Sequence, residues 1–355
     1  MYTEAEILSE PRCWGECLQA LKQSREVDQF LQLISSRRDF LFVGCGSSYY
    51  LAQTAASSWT ALTGLRARAI PASELLLFPN FLSSLDVAPQ AVLISRSGHT
   101  SEILKAAEYL NSKAAPGVAI SCSPEQPIQA LAAATVCLAP ADEQSMVMTR
   151  SFTSMLIALE FLAAKLAGNI AFLQRLDMLP RSAQPALDSI APRIRDFVEE
   201  RQFADYVYLG QGPYYGLACE GALKVTEMSC SYAQSFHTLE FRHGPKSIVG
   251  PETLVAFLVS KSGREPERDL VEEVKRLGGT TLVIANKPDE GIQKASDLAI
   301  ELNLSDDSEA MSEYSSLPAY ILPGQLIGLY TGLKKGLDPD QPRNLSRAVI
   351  LDEQA

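Results

Sequence analysis

The sequence predicts an α/β protein of two tandem doubly wound parallel-sheet domains, preceded by a helical arm and followed by a tail. An internal repeat and the order of elements within it carry this reading. Asp39-Phe-Leu-Phe-Val-Gly44-Cys-Gly46-Ser-Ser-Tyr49-Tyr-Leu51-Ala52 returns as Asp205-Tyr-Val-Tyr-Leu-Gly210-Gln-Gly212-Pro-Tyr-Tyr215-Gly-Leu217-Ala218. Val92-Leu-Ile-Ser95-Arg-Ser97-Gly98 returns as Phe257-Leu-Val-Ser260-Lys-Ser262-Gly263 at nearly the same offset. Two separate matches at one spacing mark a duplicated unit. In each copy a short run of aromatic and β-branched residues ends in Gly-x-Gly and leads into a helical pattern, which reads as strand, tight turn, helix. Strands alternating with helices imply a parallel sheet covered on both faces.

The elements follow in order. Residues 1–35 read as the helical arm. Residues 36–175 form the first domain, with further strands at Ala91-Val-Leu-Ile94 and Gly117-Val-Ala-Ile120. The stretch from Gln174 to Arg195, with Pro180, Pro185 and Pro192, connects the copies. Residues 196–335 form the second domain, and 336–355 the tail.

The 355 residues carry a net charge of −11. That balance argues against nucleic acid, which requires a basic face, and against an anionic membrane surface. The first residues lack the basic start and apolar run of a signal peptide, and no apolar run reaches membrane-span length. The expected location is the cytoplasm. Seven scattered cysteines without a Cys-x-x-Cys read as free thiols, and three histidines are too few for a His/Cys metal site.

The chemistry sits where strands end, since ligands of such sheets bind beyond the carboxyl ends of the strands. Ser95-Arg96-Ser97-Gly98-His99-Thr100 brings three hydroxyls to a strand-to-helix turn. A helix N-terminus presents unpaired N–H groups to an anion, and hydroxyls add donors, so the loop reads as a phosphate grip. Ser47 and Ser48 fall beside it on the same sheet edge. In the second copy Glu265 stands in place of Thr100 and Pro213 in place of Ser47. A carboxylate at the helix entrance repels phosphate, so one phosphate site per chain is expected. Neither Gly-x-Gly has the third glycine of a dinucleotide fingerprint. The second copy instead carries Glu220-Gly-Ala-Leu-Lys224-Val-Thr-Glu227, three ionisable groups on one helix face. His243 precedes Gly244-Pro245 in a loop.

These motifs resemble the sugar isomerase (SIS) domain proteins, above all the isomerase half of the glucosamine-6-phosphate synthases. The resemblance also covers Glu143 through Thr149-Arg-Ser-Phe-Thr153, the tail run Asp340-Gln-Pro-Arg-Asn-Leu345, and the start Glu6-Ile-x-x-Glu-Pro11. It implies that Ser47, Ser48, Ser95, Ser97 and Thr100 bind a sugar phosphate, with Arg96, Glu143 and Glu220 in the substrate site. Glu227 matches the base that moves a proton between C1 and C2, and Lys224 a lysine assisting at the hydroxyls. His243 matches a ring-opening histidine donated by a neighbouring subunit, which implies a homodimer. The resemblance implies neither metal nor organic cofactor.

Three departures stand out. A start of Met-Tyr-Thr offers no N-terminal cysteine nucleophile, so this chain is not expected to draw ammonia from glutamine. Arg347 stands where the synthases have an imine-forming lysine, and arginine stays protonated. His99 replaces an acidic residue, and Met146-Val-Met148 a smaller, more polar run. The expected activity is isomerisation or deamination of a hexose or amino-hexose 6-phosphate. The alternatives are plain aldose–ketose isomerisation, cleavage of a fructosamine-type adduct, and non-catalytic sugar-phosphate sensing.

Overall fold

The computed structural model describes residues 1–79, 88–304 and 311–351. The chain divides into two compact units, each built around one five-stranded parallel sheet. One unit takes Arg12–Asp177 together with the tail from Ser346. The other takes Met1–Pro11 and Met178–Leu345. The helices before the first sheet are α1 (Tyr2–Leu8), α2 (Glu10–Gln23) and α3 (Arg25–Ile34). Ser9 and Ser24 separate these helices, and the division between the units falls inside α2, after Pro11.

The first sheet comprises β1 (Asp39–Gly44), β2 (Arg66–Pro71), β3 (Gln90–Ile94), β4 (Val118–Ser121) and β5 (Thr135–Cys137), in the order β2-β1-β3-β4-β5. Its crossovers are α4 (Ser47–Thr63), α5 (Ala72–Leu77), α6 (Ser101–Ser112) and α7 (Ile128–Leu131). After β5 come α8 (Arg150–Leu166) and α9 (Ile170–Glu200). Every residue of β3 is buried, Gln90 included, and its apolar run Ala91–Ile94 suits a sheet covered on both faces. Leu41, Val43 and Leu93 from the strands pack with Ile103 and Ala106 of α6 in one core. The connection between the copies is the continuous helix α9, with Pro180, Pro185 and Pro192 inside it.

The second sheet comprises β6 (Asp205–Gly210), β7 (Tyr232–His237), β8 (Thr253–Leu258), β9 (Thr280–Ala285) and β10 (Leu298–Glu301). Its order, β10-β9-β8-β6-β7, is that of the first sheet read from the other edge. Between its strands lie α10 (Tyr214–Ser229), α11 (Arg264–Arg276) and α12 (Glu290–Ala295). After β10 come α13 (Ser312–Ser315), α14 (Leu317–Tyr320) and α15 (Leu322–Lys334). Val207, Leu209 and Phe257 pack with Leu270 and Val271 of α11.

The repeat extends to backbone detail. A Cβ on Gly44 would stand 2.3 Å from the Ser48 carbonyl oxygen, and one on Gly210 would stand 2.3 Å from that of Tyr214. Both turns therefore require glycine for the same close approach. The Gly46 and Gly212 φ angles are 53° and 56°. In both sheets the order reverses beside the first strand, between β1 and β3 and between β6 and β8. That crevice is where ligands of open α/β sheets bind. Among the described residues no helix is long and apolar enough to cross a membrane.

Candidate active site

In the first domain, α4 starts directly at Ser47, and Ser47 and Ser48 are both buried. The turn before it closes with Ser48 N–H donating to the Cys45 carbonyl at 3.1 Å and Tyr49 N–H to that of Gly46 at 2.9 Å. The Ser48 hydroxyl lies 3.9 Å from the Met148 sulfur. After β3, the Ser95 hydroxyl accepts the Gly98 N–H at 3.1 Å and stands 3.4 Å from the Thr100 hydroxyl. Ser97 Oγ accepts the His99 N–H at 3.1 Å. Thr100 holds the N-cap position of α6 but caps no N–H with its side chain. The tail partly does that work: the Val349 carbonyl accepts the Ser101 N–H at 3.1 Å, and the Ser101 hydroxyl accepts the Leu351 N–H at 2.9 Å.

Arg96 lies between these serines, yet its guanidinium turns inward. It pairs with Glu143 at 3.2 Å and donates to the Met146 and Arg347 carbonyls at 2.8 and 2.7 Å. Glu143 is fully buried and also accepts the Thr149 N–H at 2.7 Å and the Thr149 hydroxyl at 2.8 Å. The pair thus ties β3's loop, the 143–151 segment and the tail to one another. Arg347 presents a 41 % exposed side chain paired with Asp142, a partner the sequence did not signal.

In the second domain, α10 carries the ionisable face. Lys224 Nζ lies 3.2 Å from a Glu220 oxygen and 2.5 Å from a Glu227 oxygen. Lys224 and Glu220 are fully buried, whereas the Glu227 side chain is 16 % exposed. This burial follows from close packing on α15, where a Cβ on Gly328 would stand 2.7 Å from the Lys224 carbonyl oxygen. Burial works to lower the Lys224 pKa, but Glu220 and Glu227 outweigh it and hold the ammonium above the ordinary lysine value. The stabilisation from that raised value is complete below the unfolded pKa of about 10.4 and is lost as pH rises through the folded value. Lys224→Met would leave Glu220 buried without its cation. It should cost about 3–5 kcal/mol in urea denaturation at neutral pH.

Glu227 opens onto a cleft of about 230 Å³ that also involves Cys230, Asp338, Gln341 and Arg343. The tail run therefore lines a cleft beside the ionisable face of α10. Its Asp340 turns to α1, accepting the Tyr2 and Thr3 N–H groups at 2.8 and 2.7 Å. His243 is exposed on a loop after a short 3-10 turn, Leu239–Arg242.

The second copy's counterpart of the Ser95–Thr100 loop holds the same turn. Ser260 Oγ accepts the Gly263 N–H at 2.8 Å, as Ser95 does that of Gly98. Glu265 is exposed there; the carboxylates bonded to the loop belong to Glu267 and Glu313. Glu267 accepts the Ser260 N–H and hydroxyl at 2.8 and 3.1 Å, and burial pushes its pKa up to about 7. A carboxyl raised on folding stabilises most below its unfolded value of about 4.3, and that contribution fades as pH climbs through 7. Urea midpoints of the wild type should therefore fall between about pH 4.5 and 7 relative to those of Glu267→Gln. Parallel profiles for the two proteins would contradict this.

The SIS domain family model matches residues 33–165 and 205–327, one match on each sheet unit. The chain belongs to the SIS domain family. Among similar SIS proteins, the glutamine–fructose-6-phosphate aminotransferase of Methanothermobacter thermautotrophicus is 27% identical over 346 residues, 96% of this chain and 54% of its own length. The chain spans a little over half the length of the curated relatives it matches. The glucosamine-6-phosphate deaminase structure from Thermotoga maritima is 29% identical, covers 98% of this chain and 99% of its own, and has a TM-score of 0.80. The tagatose-6-phosphate ketose/aldose isomerase from Escherichia coli is 25% identical, covers 100% and 97%, and has a TM-score of 0.83.

Proposed function

We propose that this SIS protein is an enzyme that moves a proton between C1 and C2 of a hexose 6-phosphate or amino-hexose 6-phosphate. The observation that carries the reading is the Glu220–Lys224–Glu227 set, a buried ammonium held by two carboxylates of which only Glu227 reaches an open cleft. Aldose–ketose interconversion needs a base at the carbon-bound proton and a donor for the developing enediolate oxygen. Glu227 takes the first role and Lys224 the second, while Glu220 keeps the lysine charged. Ser47, Ser48, Ser95, Ser97 and Thr100 grip the phosphate. Arg96 and Glu143 hold that grip in shape rather than touch the sugar.

His243 opens the sugar ring from a neighbouring subunit, so the working form is a homodimer and its place of work the cytoplasm. The exposure of His243 supports this role, because a buried histidine could not be lent to a second chain. Arg347 forms no imine and serves as a fixed positive charge. Among the reactions open to such a site, release of ammonia from glucosamine 6-phosphate is favoured. The Thermotoga maritima deaminase aligns with this chain over nearly the whole length of both. Incubation with glucosamine 6-phosphate should yield ammonia and fructose 6-phosphate in equal amounts. Absence of both products at high enzyme excess would sink the deaminase reading.

A further inference from the structure

The second copy keeps the architecture of a phosphate grip, and the space in it is already filled. The offset that relates the copies places Lys261 on Arg96, Ser262 on Ser97 and Tyr214 on Ser48. It also places Glu313 on Met148. In the first copy the Met148 thioether borders Ser48. In the second, the Glu313 carboxylate accepts the Lys261 N–H at 2.6 Å, the Tyr214 hydroxyl at 3.2 Å and the Ser262 hydroxyl at 3.4 Å. These donors are one backbone N–H and one hydroxyl at the β8–α11 turn and one hydroxyl from the start of α10, a set suited to a phosphate oxygen. Lys261 and Arg264 line the same pocket, and the space left in it is about 10 Å³, no more than a single water needs.

We propose that Glu313 is a built-in plug. Its carboxylate stands in for a phosphate in the second copy, so each chain takes one sugar phosphate and not two. The inference rests on the phosphate-binding reading of the first copy. It places the exclusion on Glu313, not on Glu265, which points to solvent. Occupancy rather than like charge alone is the device, because the plug satisfies the donors that an incoming anion would have to win. Glu313→Ala would vacate the cradle and leave Lys261, Arg264, Tyr214 and Ser262 facing an open space.

The test separates the two copies. Equilibrium dialysis with fructose 6-phosphate first counts sugar-phosphate sites on the wild type; none would sink the proposed function without touching the plug. With fructose 6-phosphate saturating, radiolabelled inorganic phosphate is then added. Wild type should bind none, and Glu313→Ala should gain one phosphate per chain. Glu313→Met, which restores the first copy's residue, should gain it too. A folded Glu313→Ala with no added phosphate overturns the proposal. So does unfolding of both variants, which would make Glu313 a structural keystone rather than a removable plug.

Discussion

Glu227→Gln should lower kcat by about 10³-fold while leaving sugar-phosphate affinity nearly unchanged. Glutamine keeps the shape of the side chain and an oxygen to face Lys224, so the helix face should survive. Glu220 still neutralises the buried ammonium, 3.2 Å away, so the substitution leaves no unpaired charge in the core. What disappears is the capacity to accept a proton. Steady-state kinetics with calorimetric binding separates the outcomes. A raised KM with kcat intact would make Glu227 a binding residue and remove the base from the account.

Met148→Glu should weaken binding of any phosphorylated sugar by about 10²-fold or more, with little effect on the melting temperature. Met148 is half-buried with its sulfur 3.9 Å from the Ser48 hydroxyl, and its counterpart in the second copy is the glutamate that fills the cradle there. Two like charges about 4 Å apart near a protein surface repel by roughly 4 kcal/mol, equivalent to nearly a thousandfold in affinity. The comparison that checks it is phosphorylated against unphosphorylated sugar. Equal loss for both would mean a general distortion of the pocket, not expulsion of an anion.

The two copies were legible in the sequence because their central strands, β1, β3, β6 and β8, are continuous apolar runs ending in glycine or serine. The edge strands were not. β2 reads Arg-Ala-Arg-Ala-Ile-Pro and is largely half-exposed, with Arg66 and Arg68 paired to Asp39 at 3.5 and 3.7 Å. β5 has only three residues, too few for periodicity to register. The three prolines of α9 read as a connection and gave no sign that a helix runs through them, since proline normally breaks a helix interior.

The site divides the same way. The Ser/Thr loop and the Glu220–Lys224–Glu227 face rest on local spacing, and the structure presents both as local groups. Arg96 drew attention as a charge in the Ser/Thr loop, but its partner Glu143 is 47 residues away, and only folding shows the guanidinium turned inward. Glu265 was visible as a misplaced charge by direct comparison of the loops. Glu313 is 52 residues beyond the Lys261 N–H it accepts, and carrying the repeat offset on to Met148 would have found it.

The most direct test follows the hydrogen at C2. The protein is incubated with glucosamine 6-phosphate and with glucose 6-phosphate, each deuterated at C2, and the label is followed by nuclear magnetic resonance. In at least one sugar, deuterium should leave C2 for C1 or for solvent, and Glu227→Gln should abolish that loss. Label that stays at C2 in both sugars, at enzyme excess and with binding demonstrated, would contradict proton transfer between C1 and C2.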